Sequence, residues 1–187
     1  MEEETLSFYP IRAVSLMTGI SSGKLFGLRW TDIDFDNHSI CVSSQWMNKN
    51  GIEPTKTGRS RVVPVSDDLL RFLKELKLKH GQERDYVLPH LREWENGEQA
   101  RITKEFCEAI GITTVKFHDV RATFITNLLS RGESLARVMS IVGHGQLKTT
   151  NGYLRKAGIE VKGATDKLCY GLPQDSEGKV LQILREK

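Results

Sequence analysis

The sequence HDVRATF at His118–Phe124 opens the stretch that decides the fold, and VGH at Val142–His144 and TTNGY at Thr149–Tyr153 follow it. Apolar residues at helical spacing predict one helix over 118–130 and a second over 134–143. A glycine follows each segment and a serine precedes the second, which is the usual pattern at helix ends and starts. A last short helix, capped by a threonine, is predicted to carry the tyrosine.

The residue types in this stretch indicate chemistry on a phosphate group. His118 and Arg121 are three apart, so they share one face of a helix and can reach one phosphate. A guanidinium fork fits two phosphate oxygens at once. Histidine can move protons or donate a hydrogen bond, as His144 could do, and Tyr153 can act as a nucleophile. Such a set can transfer a phosphodiester without a metal, because cationic side chains meet the developing charge.

Taken alone, each of these features can be explained without phosphate chemistry. An isolated His-x-x-Arg is more often a surface pair, and a histidine after a helix end is favoured by the helix dipole. Tyr9, Tyr86 and Tyr170 compete with Tyr153 for the role of nucleophile. The prediction of phosphate chemistry therefore depends on several motifs occurring in one order.

The upstream half supplies further motifs in that order. It reads TGISSGKLFGLRWTDID over Thr18–Asp34, and later TKT over 55–57 and SRVVPV over 60–65. Together with the C-terminal motifs, this pattern resembles the catalytic domain of tyrosine recombinases, the phage-integrase family, over about residues 10 to 155. The family pattern is Thr-Gly, one residue, an arginine, two residues, a glutamate, a Leu-rich helix, a Trp and Asp-x-Asp.

The resemblance implies a role for each matching residue. Tyr153 would be the nucleophile, and Arg121 would stabilise the charge on the phosphate. His118 would be an acid or base near the tyrosine, and His144 would donate a hydrogen bond to the phosphate. Lys56 would be the mobile lysine that protonates the leaving 5′ oxygen.

The match departs from the family at the first catalytic arginine. That position is Ser21, and the family's glutamate falls on Lys24. Serine cannot supply a bidentate cation, and loss of one preorganised stabiliser costs roughly a hundred- to a thousandfold in rate. Lys24 could fill the gap from almost one turn along the helix, whereas Arg29 falls on a variable surface position of the family pattern.

The predicted fold class is α+β and mainly helical, with a small antiparallel sheet at one edge. Strand-like segments lie within residues 39–65, where Pro64 suggests an edge strand. Helices are predicted over 10–19 and 22–30, from Asp67 or Asp68 through Leu76, and over 97–110. Trp30 is expected in the core.

The resemblance also implies how the chain is organised. Residues 1–157 would form the integrase-like catalytic domain, and 158–187 a tail that docks on a neighbouring protomer. The family's N-terminal DNA-clamping domain is expected to be absent. The expected assembly is a homotetramer on double-stranded DNA and a monomer alone.

Composition is that of an ordinary globular protein, with 39% hydrophobic and 27% charged residues and a net charge of +3. Three distant cysteines and an acidic N-terminus predict reduced thiols in the cytoplasm, and no apolar run predicts a membrane span. Neither a metal site nor a cofactor is predicted. Basic residues near the predicted hairpin and around the tyrosine are expected to contact DNA phosphates, with a solvated surface as the alternative; they are Lys49, Arg59, Arg61, Lys148 and Arg155.

The expected function is site-specific DNA recombination or integration, by strand cleavage and rejoining through a 3′-phosphotyrosyl intermediate, for a phage or mobile element. Ser21 is expected to weaken or abolish this activity. One alternative is a non-catalytic DNA-binding remnant that modulates a functional recombinase. A protein-interaction module and a type IB topoisomerase are further alternatives, although the Leu-rich opening motif favours a recombinase.

Overall fold

A computed structural model describes residues 7–47, 50–55, 58, 60–82, 84–143 and 153, and every structural statement below refers to these residues. Helices account for most of the described secondary structure, and the strands lie together between residues 33 and 64. The helices are α1 Tyr9–Thr18, α2 Ser22–Phe26, α3 Asp67–His80, α4 Leu91–Glu95, α5 Glu98–Ala109, α6 Phe117–Ser130 and α7 Leu135–Val142. The predicted fold class, mainly helical with a small antiparallel sheet, is confirmed.

The strands form two separate antiparallel sheets. The first has the order β1–β2–β5, where β1 is Ile33–Asp34, β2 is Ser39–Val42 and β5 is Arg61–Pro64. The second is the two-stranded ribbon of β3, Ser44–Met47, and β4, Gly51–Pro54. The sequence predicts one small sheet over 39–65, whereas the structure divides this segment at Ser43.

Local chemistry explains where the helices near the site begin and end. Gly19 ends α1 in the left-handed conformation, with φ 65°, and its N–H donates to the Ser15 carbonyl. The Ser134 side chain caps α7 by accepting from the Arg137 N–H, and Gly143 ends that helix at φ 71°. Both glycines thus occupy a backbone conformation that a Cβ atom disfavours.

Two sequence expectations for helices need correction. The predicted helix over 22–30 ends at Phe26, and Trp30 begins a 3₁₀ turn that Asp32 closes by accepting from the Arg29 N–H. The N-cap residue of α3 is Ser66, and not Asp67 or Asp68. The Ser66 hydroxyl accepts from the Leu69 N–H. Helix α4 was not predicted. The predicted helices after residue 143 lie outside the described residues, apart from Tyr153, which is helical.

The buried apolar side chains fall into two clusters. The large core contains side chains of α1, α2, α3 and the first sheet. It includes Trp30, which is 7% exposed, as expected. The small core is formed by α6 and α7, and its buried members are Ile125, Leu129, Val138 and Val142. Phe117 of α6 and Ile141 of α7 pack against the large core, so the two clusters adjoin.

Helix α2 lies directly against β3 because two glycines face the strand. A Cβ atom on Gly27 would lie 3.1 Å from the Gln45 Cα, and one on Gly23 would lie 3.1 Å from the Trp46 carbonyl oxygen. The Ser44 hydroxyl also donates to the Gly27 carbonyl, at 3.1 Å. This close contact fixes the turn between α1 and α2, which contains Ser21.

No helix among the described residues is both long and apolar enough to cross a membrane.

Candidate functional site

Arg121 is the central residue of the candidate site. It lies on α6 and is only 8% exposed. Its Nη1 donates to the carbonyl of Gly19, and its Nη2 donates to the carbonyl of Val142 at 2.8 Å. The side chain therefore joins the turn after α1 to the last residue of α7, and a buried guanidinium is held in one orientation.

The turn after α1 is shaped to receive this arginine. Gly19 has a positive φ, and a Cβ atom at this position would overlap the Phe124 ring of α6. Only glycine therefore allows the turn to approach α6 closely enough for its carbonyl to accept from Arg121. The Thr-Gly of the opening motif thus has a structural role in the site.

Arg61, the first residue of β5, reaches the same place from the sheet. Its Nε donates to the Ile141 carbonyl at 2.8 Å, one residue before the carbonyl that Arg121 binds. A Cβ atom on Gly143 would lie 2.8 Å from the Arg61 Nη1, so the guanidinium passes close beside that glycine. The Arg61 Nη2 is buried and has no hydrogen-bond partner among the described residues.

The two guanidinium groups influence each other electrostatically. Burial, and then the nearby charge of Arg121, lower the pKa of Arg61 to about 10. Burial also lowers the pKa of Arg121, while its interaction with Tyr153 acts in the opposite direction. Two cations are thus held close together in a poorly solvated place, where an anion would be stabilised.

Tyr153 lies near Arg121. Its side chain is partly buried and packs against the small core formed by α6 and α7, the helix pair that includes Arg121. Its interaction with Arg121 favours the charged guanidinium, which agrees with this packing. The structure therefore brings Tyr153 and Arg121 together, across a separation of 32 residues in the sequence numbering.

Ser21 lies two residues after Gly19, whose carbonyl accepts from Arg121. It is the N-cap residue of α2, in an extended conformation, but its side chain makes no capping hydrogen bond. It is partly exposed, as is Lys24 one turn later. Arg29 points elsewhere: its Nη2 donates to the Tyr86 hydroxyl at 3.4 Å, and the guanidinium lies over that ring.

The remaining predicted site residues are placed in part. His118 is exposed in the first turn of α6, one turn before Arg121. Lys56, His144, Lys49, Arg59, Lys148 and Arg155 lie outside the described residues. No group of three or more His, Cys, Asp or Glu side chains that could hold a metal occurs in the described part of the chain.

Sequence reasoning did not anticipate the position of Arg61 or the carbonyl groups that hold the arginines. The sequence places Arg61 among the basic residues expected to contact DNA phosphates, and the structure shows it half-buried beside Arg121. The signal available in the sequence was the pair of glycines, Gly19 and Gly143, each next to a residue of the site. A conformation open only to glycine often marks a place where another group approaches the backbone.

Comparisons with known proteins find related sequences over most of the chain. The model of the phage integrase family matches residues 9–158. A tyrosine recombinase XerC-like protein of Caldanaerobacter subterraneus subsp. tengcongensis is 29% identical over 181 residues, which cover 79% of this chain and 46% of the relative. The ICEBs1 integrase of Bacillus subtilis is 27% identical and covers 79% and 44%, respectively. The chain therefore spans about half the length of these curated relatives.

Solved structures show the same fold. The integrase of transposon Tn1549, in complex with a circular intermediate DNA, superimposes with a TM-score of 0.69 and 22% identity, over 86% of this chain and 57% of that one. The XerA recombinase gives a TM-score of 0.60 with 23% identity, over 87% and 58%. Since the family model spans the described site from α1 to Tyr153, the chain belongs to the phage integrase family of tyrosine recombinases.

Proposed function

We propose that this chain is the catalytic part of a site-specific DNA recombinase of a phage or mobile element, with Tyr153 as its nucleophile. The observation that carries the proposal is the meeting of Tyr153 with the buried Arg121. A fixed guanidinium beside a phenol is what attack on a phosphodiester requires. Membership of the family and the recombinase relatives support the same reaction.

In the proposed reaction, the Tyr153 oxygen attacks the phosphorus atom of one strand and gives up its proton. The bond to the 5′ oxygen breaks, and a 3′-phosphotyrosyl bond forms. The leaving 5′ oxygen takes a proton, for which Lys56 is the proposed donor. A 5′ hydroxyl from a partner strand then reverses these steps, so cutting and rejoining need neither an external energy source nor a cofactor.

The arginine and histidine residues have different tasks in this proposal. Arg121 meets the extra charge on the non-bridging oxygens as the phosphorus atom becomes pentavalent. His144 donates a further hydrogen bond to the phosphate. His118, exposed one turn before Arg121, acts as an acid or base near the tyrosine.

The residue at position 21 sets how fast this reaction runs. Ser21 lies two residues from the carbonyl that holds Arg121, but its short side chain carries no charge. We therefore expect the wild-type chain to react slowly. An arginine at this position would face the phosphate from the α1–α2 turn.

Covalent capture of DNA tests the proposal directly. A pool of labelled duplexes with randomised sequence, each carrying a nick, lets a short 5′-hydroxyl fragment diffuse away after cleavage and traps the adduct. Wild type and Ser21→Arg are compared on a denaturing gel, and the captured strands are sequenced. We expect Ser21→Arg to raise the adduct by about a hundredfold or more.

Two tyrosine variants serve as controls for this experiment. Tyr153→Phe should abolish the adduct in both backgrounds, whereas Tyr9→Phe, at a residue that is 65% exposed on α1, should not change it. If neither wild type nor Ser21→Arg forms an adduct that depends on Tyr153, the catalytic proposal is wrong.

A second candidate function is a non-catalytic DNA-binding protein that modulates a functional recombinase. Ser21 and Lys24 stand where the family pattern has an arginine and a glutamate, and this difference favours the non-catalytic function. This candidate predicts DNA binding that weakens with salt and survives Tyr153→Phe, without any adduct. In either case the proposed partner is double-stranded DNA through the basic residues named above, and residues 158–187 are proposed to dock on a neighbouring protomer in a tetramer on DNA.

A further inference from the structure

We infer that Arg61 is a second phosphate-binding residue of this site, and that its guanidinium replaces in part the cation that an arginine at position 21 would supply. The inference deepens the proposed function, on which it rests for the identity of the phosphate as a DNA phosphodiester. Its physical basis is the way in which β5 and α7 hold the Arg61 side chain.

One nitrogen of the Arg61 guanidinium makes a hydrogen bond, and another has no partner among the described residues. The Nε–H donates to the Ile141 carbonyl at 2.8 Å, so the guanidinium plane is fixed relative to the end of α7. The Nη2 is buried and has no hydrogen-bond partner among the described residues. A buried donor without a partner is unfavourable, and more so when it is charged, so the site favours a ligand that can accept from it.

Adjacent carbonyl groups bring the two arginines together. Arg61 binds the carbonyl of Ile141, and Arg121 binds that of Val142. The last carbonyls of a helix have no partner within the helix and carry partial negative charge, so they attract both cations. Among the described residues neither arginine has a carboxylate within ion-pair distance.

The resulting pair of like charges is unfavourable until an anion arrives. The lowered pKa of Arg61 has the same origin, since burial and the charge of Arg121 both disfavour its protonated form. A phosphate between the two guanidinium groups would accept from both and relieve their repulsion. Tyr153, which also acts on Arg121, lies in the same neighbourhood.

Arg61 also offers a partial substitute for a cation at position 21. That position lies in the α1–α2 turn, two residues after the Gly19 carbonyl that accepts from Arg121. Arg61 approaches Arg121 from β5, beside Gly143. A second cation can thus come from the α1–α2 turn or from β5, and this chain has the cation on β5.

Another role for Arg61 would be purely structural, as a clamp that holds the end of α7. The two roles differ in what can replace the side chain. A clamp needs a donor at the Ile141 carbonyl, which an arginine at position 21 does not supply. A phosphate ligand needs only a second cation facing the phosphate, which an arginine at position 21 does supply.

Inorganic phosphate is the probe that separates these roles. Arginine Nε–Hε signals are followed by NMR during titration with phosphate at constant ionic strength, on the whole chain. We expect the signals of Arg61 and Arg121 to shift in wild type, and Arg61→Gln to weaken phosphate binding by about tenfold or more, since loss of a charge-assisted hydrogen bond is worth about 1.4 kcal/mol or more. The double variant Ser21→Arg with Arg61→Gln should regain most of that affinity.

Arg137→Gln is the matched control, because Arg137 is an exposed arginine of the same helix α7 and pairs with Glu133 at 3.0 Å. It should bind phosphate as wild type does. The inference is overturned if wild type binds no phosphate, if Arg61→Gln binds it as well as wild type, or if Ser21→Arg fails to restore binding in the Arg61→Gln chain. The titration needs neither DNA nor cleavage, so a failure of the proposed DNA cleavage would not affect this result.

Discussion

Gly143 shows how a single backbone conformation supports the site. It ends α7 at φ 71°, directly after the two carbonyl groups that hold the arginines, and its open side is filled by the Arg61 guanidinium. Glycine is needed twice here, once for the left-handed conformation and once for the space. A side chain at this residue would push Arg61 away from the Ile141 carbonyl.

Substitution of Gly143 by alanine should therefore cost more than the left-handed conformation alone. We expect Gly143→Ala to lower the free energy of unfolding by about 1–2 kcal/mol for the conformation, plus about 1 kcal/mol for the weakened Arg61 hydrogen bond. Urea denaturation measures both. Gly132→Ala is the control, since Gly132 has φ 88° but nothing lies within 4 Å of its Cβ position. Equal losses for the two variants would contradict the packing of Arg61 against Gly143.

The lowered pKa of Arg61 has a defined effect on stability. The folded chain holds this proton less tightly than the unfolded chain, whose arginines keep their ordinary, higher pKa. Above about pH 10 the unfolded state thus binds more protons, so this residue contributes a destabilisation that is present in full at neutral pH and is relieved as the pH rises through the lowered pKa. A bound anion relieves the same destabilisation without any change of pH.

At the scale of elements, α7 orients the carbonyl groups that bind both arginines, and its start is fixed by Ser134. The Ser134 hydroxyl accepts from the Arg137 N–H at 3.2 Å. We expect Ser134→Ala to lower the free energy of unfolding by about 1 kcal/mol. Ser21→Ala is the matched control, because Ser21 is also an N-cap residue but makes no capping hydrogen bond. If thermal or urea unfolding shows the same loss for both, the capping role of Ser134 is refuted.

The elements that could be predicted from the sequence are those whose ends depend on local chemistry. The stop of α1 at Gly19 and both ends of α7 follow from residues within one turn. Helix α2 was predicted too long because Leu25 and Leu28 suggested one apolar face, whereas Gly27 ends the helix against β3. The division of the strands at Ser43 depends on which distant strand each half pairs with, which no local pattern reveals.

Prediction from local sequence patterns has the same limit at the candidate site. Motif order predicts Arg121 and Tyr153 as site residues, and the two lie near each other in the structure. The burial of Arg61 was not foreseen, because its hydrogen-bond acceptor lies 80 residues away in the sequence. A basic residue in a strand near a turn is usually solvated, and only tertiary packing can turn it inward.

At the scale of the whole molecule, the described chain has a large core and a small one, with the site between them. Tyr153 packs on the small core, and Ser21 belongs to the turn that rests on the large one. The links between them are the Arg121 bond to Gly19, the Arg61 bond to Ile141 and the Phe124 contact with Gly19. Local opening of α6 and α7 would thus separate the tyrosine from the turn.

Leucine truncations should separate the two cores experimentally. Leu129 of the small core and Leu73 of the large core are 2% and 0% exposed. We expect each Leu→Ala change to cost about 2–5 kcal/mol. Hydrogen exchange should then show lost protection confined to α6 and α7 for Leu129→Ala, and loss over the whole described chain for Leu73→Ala. Loss of protection in α1 and α3 together with α6 after Leu129→Ala would show that the molecule opens as one unit.

The packing of α2 on β3 bears on single-base changes at position 21. Gly23 and Gly27 hold the backbone that follows position 21 tightly against the strand. Some serine codons differ from an arginine codon by a single base. One point mutation would thus place a guanidinium in the α1–α2 turn while the glycine contacts with β3 stay in place, so the proposed gain in DNA cleavage lies one base away.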